Sequence, residues 1–296
     1  MTTITPPPPA PLGPPPELSP GSRTVVRGIL VAAAAVLVVA AVAALAVTSW
    51  GLSTVRVLSD SHTLPAAMRS LVVDTADIPV AIRISTDPDA REASASLRLV
   101  NTTSGGDHRL AVTTVGPETR LALEGRPSPT FGWARGGEIT VSLPPEQARR
   151  LTVRTRQQTG VVFAHADVDQ LFARTTHGAV ILGGSARRME VQTVDGAVTA
   201  RDPISVRERF SVTTSDGDIV VDFRDAAPRT VEAISRNGNI VLGVPDRGPY
   251  LVRAQSSDST RVRVPETTDP AAAASELTAR TDNGNIVIEE SDDGWR

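Results

Sequence analysis

Side chains that carry oxygen recur in this chain at one kind of place. Asp195, Asp216, Asp218, Asn237, Asn239, Asp282, Asn283 and Asn285 each lie within two residues of a glycine. Brought into register, such carboxylates and amides are the ligands Ca²⁺ selects, six to eight oxygens at a time. The doubled-glycine nonapeptide pattern of calcium-binding repeats is absent, however. Asp and Asn beside glycine are also what tight turns select for backbone reasons alone. These eight residues are therefore read as turn formers, and no metal ligand is assigned.

Other chemistry is limited by composition. The chain has no Cys, so thiolate nucleophiles, disulfides and sulfur metal sites are excluded. His62, His108, His165 and His177 show no metal spacing, and His177 directly precedes Gly178, in the slot that Asp or Asn fills elsewhere. There is no Gly-x-Ser-x-Gly, no phosphate-binding loop and no zinc signature. A polysaccharide-cleaving enzyme built on stacked strands would need paired carboxylates, or a basic cluster, in a groove with aromatic platforms. Trp133 is the only Trp between residues 71 and 290, which speaks against it. The thread Gly183, Gly184, Ser185, Ala186, Arg187, Arg188 is the one local basic turn, read as an exposed loop between coils, with contact to anionic glycans or lipid headgroups as the alternative. A formal charge of −3 without a basic footprint points away from nucleic acid, and no nucleotide site is expected. The expectation is a protein without catalytic, cofactor-binding or metal-binding residues.

The elements that carry these turns are more informative than the turns themselves. From about residue 137 a unit repeats, aligned by Gly137, Gly160, Gly178, Gly196, Gly217, Gly238 and Gly284. Two places after each stands Ile139, Val162, Val180, Val198, Ile219, Ile240 or Ile286. Three places before the later glycines comes a hydroxyl: Thr175, Thr193, Thr214, Ser235, Thr281. Seven before is a larger apolar residue: Leu171, Met189, Phe210, Val231, Leu277. One unit has drifted, with Asp258 in the glycine column, Thr260 in the Ile column and Leu251 seven before. Asp-Gly and Asn-Gly between apolar runs also signal hairpins. Monotony at one period favours stacked coils over an antiparallel meander. Eight to ten coils at about 4.8 Å each would extend roughly 40–50 Å.

Upstream, strand-like runs are expected at residues 71–74, 80–86, 94–100, 109–115, 120–124 and 138–143, separated by Gly- and Pro-rich turns. Helix-like patches are confined to residues 144–150 and 270–277. With aromatics at 3%, a narrow core of Val, Ile and Leu is expected. The ends of the stack need caps, and residues 71–130 and the acidic tail from Glu289 to Asp293 are the segments available.

Residues 28–50 form an apolar stretch of about 23 residues without charge, long enough at roughly 34 Å to cross a bilayer. Arg23 and Arg27 precede it, which favours a cytoplasmic N-terminus. A cleaved secretory signal with Ala44, Leu45 and Ala46 at the cleavage site is the alternative, disfavoured by the length of the apolar run. Residues 1–27 are Pro-dominated and expected to be a disordered cytoplasmic tail.

The repeated Ser/Thr-x-Asp/Asn-Gly-x-Ile/Val phrase, with the Leu-Pro lead-in at Leu143 and Pro144, resembles the bacterial "putative adhesin" β-strand-repeat family, also called DUF4097. That resemblance covers about residues 71–290 and implies a β-solenoid behind a single membrane anchor, with no catalytic residues to carry over. The expected fold is all-β, a single-stranded β-solenoid (β-helix) of about eight to ten short coils, preceded by one transmembrane helix and the Pro-rich tail. The expected domains are the tail 1–27, a transmembrane signal anchor 28–50, a linker 51–70, the extracytoplasmic solenoid 71–290, and a tail 291–296. The expected function is an adhesin-like binding or scaffolding surface, inserted in the cytoplasmic membrane and facing a cell-envelope polymer or protein. The alternative is a β-helical enzyme acting on a cell-wall polysaccharide.

Overall fold

The computed structural model describes residues 55–102, 109–124 and 137–291, and the expectations for the tail 1–27 and the apolar segment 28–50 lie outside them. Among the described residues no helix is long and apolar enough to cross a membrane.

The described chain is all-β. In order it runs β1 (Val55–Thr63), β2 (Ser70–Asp74), β3 (Ala81–Thr86), β4 (Ser94–Thr102), β5 (Arg109–Val115), β6 (Glu118–Glu124) and β7 (Gly137–Leu143). One helical turn, α1 (Pro145–Ala148), follows. Then come β8 (Thr152–Thr159), β9 (Val162–His177), β10 (Val180–Gln192), β11 (Val198–Ala200), β12 (Ser205–Asp216), β13 (Ile219–Asp222), β14 (Thr230–Asn237) and β15 (Ile240–Val244). The last are β16 (Tyr250–Ser256), β17 (Ser259–Arg263), β18 (Ser275–Asn283) and β19 (Asn285–Glu290). Strand β1 occupies part of the expected linker, its polar run Ser59–Asp60–Ser61–His62 being held by antiparallel pairing with β4. Residues 270–274 are turns and β18 begins at Ser275, so the second helix-like patch is not helical. Its Ala run instead leads into the alternating burial of a strand.

From β8 onward every ladder is parallel, which replaces the hairpin reading of the Asx-Gly turns. A first ladder carries, side by side, β6, β2, β8, the C-terminal half of β9, the C-terminal half of β10, β12, β14, β18 and β16. A second carries β7, β3, the start of β9, the start of β10, β11, β13, β15, β19 and β17. Inward side chains of both ladders form one core. The Ile/Val column, from Ile139 to Ile286, is fully buried, and so are Met189, Phe210, Val231 and Leu277. Phe210 and Phe223 meet edge to face across it at 5.1 Å.

The glycine column is a backbone contact. A Cβ on Gly178 would collide with the carbonyl of Gly160, one on Gly217 with that of Gly196, and one on Gly284 with that of Gly238. Gly217 and Gly238 also hold φ near +154° and +153°, which side chains resist. The hydroxyl column explains itself in the same place. Thr214, Ser235 and Thr281 donate to the carbonyls of Gly196, Gly217 and Gly238 at 3.3, 3.1 and 2.9 Å.

Spatial order departs from chain order at both ends. Strands β18 and β19 lie between β14/β15 and β16/β17, so the last unit in sequence is interior and the drifted unit is outermost. In that outer unit Thr260 does pair with Ile286, but Val252, not Leu251, pairs with Leu277, because the Asp258 corner is one residue shorter. At the other end β2 and β3 lie between β6/β7 and β8/β9. There β4 pairs antiparallel with β7, β1 with β4, and β5 with β6, which caps that end. Glu289 and Glu290 belong to β19, which lies between β15 and β17, so these two do not cap an end, and Asp292 and Asp293 lie outside the described residues. Among the described residues β17 is outermost and pairs only with β19, and it exposes Arg261 and Arg263, a charge placement that discourages edge-to-edge pairing.

Candidate functional site

Alternation along a strand sends every second side chain outward, and parallel register then aligns those side chains into columns. On β8 Arg154 and Arg156 point outward, with Thr155 buried between them and Val153 and Gln157 buried on either side. Register places Arg154 beside Val72 and Phe172, and Arg156 beside Asp74 and Arg174. Phe172 and Arg174 then align with Glu190 and Gln192. On the far side Val72 aligns with Arg120. The result is a groove of about 440 Å³ crossing β6, β2, β8, β9 and β10, lined by Arg120, Arg154, Arg156, Phe172, Arg174 and three carboxylates, Asp74, Glu118 and Glu190.

The guanidinium groups are held differently. Arg120 Nη2 donates to Asp74 Oδ2 at 2.5 Å. Arg174 gives both Nε and Nη2 to Gln192 Oε1, at 3.1 and 2.7 Å. Arg154 donates to Ser70 Oγ at 3.2 Å, with its guanidinium carbon 5.1 Å from the centre of the Phe172 ring. Arg156 has no side-chain hydrogen bond or ion pair among the described residues. Sequence reading missed this cluster, because Asp74, Glu118 and Arg120 come from strands far from β8, β9 and β10 in the chain. The Arg-Thr-Arg alternation at residues 154–156 was the available signal.

The expected turn residues do come together, as ladders of their own. Asn237 donates to Asp216 at 2.6 Å, and Asn283 donates to Asn237 at 2.7 Å. Two residues on, the Asn239 amide N–H and side chain reach Asp218, and those of Asn285 reach Asn239. His177 and Asp195 hold the same column, 3.5 Å apart. The side-chain oxygens of Asp216, Asp218, Asn237 and Asn239 thus accept hydrogen bonds from neighbouring turns. Asp282 approaches Arg280 at 3.9 Å. Among the described residues no three His, Asp or Glu side chains are grouped so as to hold a metal ion. His62 lies 3.1 Å from Asp60, His165 packs on Gly183, and His108 lies outside the described residues.

The basic thread is corrected by the structure. Residues 183–188 lie within β10, not in a free loop. Arg187 gives Nε and Nη2 to the two oxygens of Asp169, each at 2.9 Å, and Nη1 to Glu208 at 3.0 Å. Arg188 also reaches Glu208 at 3.0 Å. Those hydrogen bonds hold the carboxyl of Asp169 below its ordinary range, with Arg187 the largest cause, and that of Glu208 likewise, with Arg188 the largest. The neighbouring strands β9 and β12 meet these cations with acids, and a loop reading of the sequence could not show that.

The second ladder carries two further features. Phe163, Ile181, Thr199, Val220, Val241 and Val287 align as an outward, mostly apolar stripe, with Arg83 stacked 4.5 Å over Phe163. Next to it Asp222, Gly243 and Glu289 share a register position. Burial pushes the Asp222 carboxyl up, and the charge of Glu289 adds to it. This carboxylate pair does not line the arginine groove.

No protein-family model matches the chain, so membership of the DUF4097 family is not shown, and no curated protein matches it either. Solved structures do resemble it. A protein described as a putative adhesin from Bacteroides fragilis is 12% identical and aligns over 79% of this chain and 97% of its own, with a TM-score of 0.44. A putative adhesin from Parabacteroides distasonis is 9% identical over 78% of this chain and 96% of its own, with a TM-score of 0.43. A putative cell adhesion protein from Clostridium sporogenes is 8% identical over 80% of this chain and all of its own, with a TM-score of 0.34.

Proposed function

We propose that the stacked parallel units form a β-solenoid, held outside the cytoplasmic membrane by residues 28–50, and that its outer faces serve as an adhesin-like binding surface for a cell-envelope polymer. One observation carries the binding claim: the groove across β6, β2, β8, β9 and β10, where arginines stand on neighbouring rigid strands. Backbone already ordered in a sheet loses little further conformational entropy on binding, which favours recognition over a broad, stiff face. The apolar length of residues 28–50 and the arginines before it support the anchor.

The same groove supports a second reading, an enzyme that cleaves a wall polysaccharide, since a basic cluster beside an aromatic ring is what such a site would need. Immobilised full-length protein incubated with envelope extract separates the two. Retention of intact wall polymer supports the binding surface, release of shortened soluble sugars replaces it with the enzyme, and retention of nothing overturns both. For the anchor, protease added to intact, wall-stripped cells is expected to remove the C-terminal domain, and full protection would reverse the orientation.

A further inference from the structure

We infer that the arginine groove is a binding site for an acidic polysaccharide, a chain that bears carboxylates at intervals among hydroxyl groups. The inference rests on the binding-surface reading and names its ligand class.

Arg156 and Arg174 stand in direct register on neighbouring parallel strands, about 4.8 Å apart. Like charges placed opposite one another on a sheet repel. Arg174 has only the neutral Gln192 to bind, and Arg156 has no side-chain partner among the described residues. A carboxylate between the two relieves the repulsion and takes charge-assisted hydrogen bonds from both. Arg154 is already steered by Phe172 and Ser70, so a third guanidinium borders the same space without having to be ordered.

The remaining groups decide what kind of anion fits. Four arginines face three carboxylates in the lining, so the groove is only slightly positive, and the whole chain carries −3. A densely charged polyanion such as nucleic acid or polyphosphate would meet Glu118 at one border and Glu190 at the other. Those two carboxylates, with Gln192, accept and donate hydrogen bonds suited to hydroxyls. Val72 and Phe172, on either side of Arg154, add apolar surface to the lining for the C–H groups of a sugar ring. The groove extends across five strands, about 19 Å, which suits a linear chain. Uronate residues interspersed with neutral sugars match all of these features.

Affinity electrophoresis of the full-length protein in gels containing polygalacturonate tests the site. Retardation by polygalacturonate, lost in gels of its fully methyl-esterified form and weakened by salt, is the expected result. Arg156→Gln and Arg174→Gln are each expected to weaken it about tenfold, the scale of a hydrogen bond to a charged group. Arg261→Gln, on the second ladder, is expected to leave it unchanged. Equal retardation by the esterified chain, stronger retention by inorganic polyphosphate, or indifference to Arg156→Gln would overturn the inference. If polygalacturonate fails while a neutral wall polymer is retained from envelope extract, this ligand class falls and the binding surface stands. If neither is retained, both fall.

Discussion

Gly284 packs against the carbonyl of Gly238, 46 residues earlier in the chain, and not against the corner at Asp258 that lies between them in sequence. That corner instead accepts a hydrogen bond from the Gly284 amide at 2.8 Å, from the outer side. The unit made last is therefore clasped between two units made earlier.

The glycine stack predicts a steep cost for one added carbon. Gly238→Ala places a methyl against the Gly217 carbonyl at a φ of +153°, so steric overlap adds to the conformational penalty. Expected destabilisation is about 3 kcal/mol or more, since strain and overpacking each cost on the order of 1–3 kcal/mol. Gly116→Ala, also at positive φ but with nothing within 4 Å, is expected to cost only about 1 kcal/mol. Denaturant unfolding of the two variants measures the difference.

Interior placement of β18 predicts an inverted sensitivity along the sequence. Leu277 is fully buried between Val231 and Val252, so Leu277→Ala is expected to cost about 2–5 kcal/mol. Val252→Ala, on the outermost strand and only partly buried, is expected to cost about 1 kcal/mol, because little cavity is left behind. Were the units stacked in chain order, Val252 would be the more sensitive of the two.

The hydroxyl column predicts opposite signs at equivalent positions. Thr281 Oγ1 donates to the Gly238 carbonyl, so Thr281→Val is expected to destabilise by about 1 kcal/mol. Thr175 Oγ1 is buried without a hydrogen-bond partner. Thr175→Val removes that desolvated hydroxyl at nearly constant shape and is expected to stabilise by about 1 kcal/mol. Thermal unfolding of both variants at one pH reads the signs.

Asp222 predicts a pH dependence. Burial, and secondarily Glu289, raise its folded-state carboxyl above the unfolded value. Ionised, it therefore destabilises the fold, and that penalty is present above the folded pKa and removed as pH falls toward the ordinary carboxylate range. Asp222→Asn is expected to raise the melting temperature at neutral pH by about 2 °C, with the gain vanishing near pH 4. A gain that persists unchanged at low pH would mean that the charge is not the cause.

Much of the architecture was legible because its determinants are local. Period-two alternation marked Val162, Val180, Ile219 and Ile240 as core before any pairing was known, and each is fully buried. The glycine, hydroxyl and Asx columns were visible because each solves the same corner in every unit. The groove was not legible as a whole, since Arg120 joins Arg154, Arg156 and Arg174 only through the placement of β2 between β6 and β8. The Arg187 and Arg188 thread misled for the same reason: Asp169 and Glu208, which hold those cations, lie one unit away on either side.

What the sequence by itself determined is the unit: an inward apolar column, a corner held by glycine in all but the drifted unit, and a hydroxyl three places before it. What only the tertiary structure decided is the order in which units stack. Every unit offers nearly the same inward face and the same open backbone edge, so neighbouring pairings are close to interchangeable locally. The choice falls to non-local terms. The apolar Leu277, Ala279, Ile286 and Ile288 gain most when covered on both sides, whereas Thr260, Arg261 and Arg263 lose least at an exposed edge.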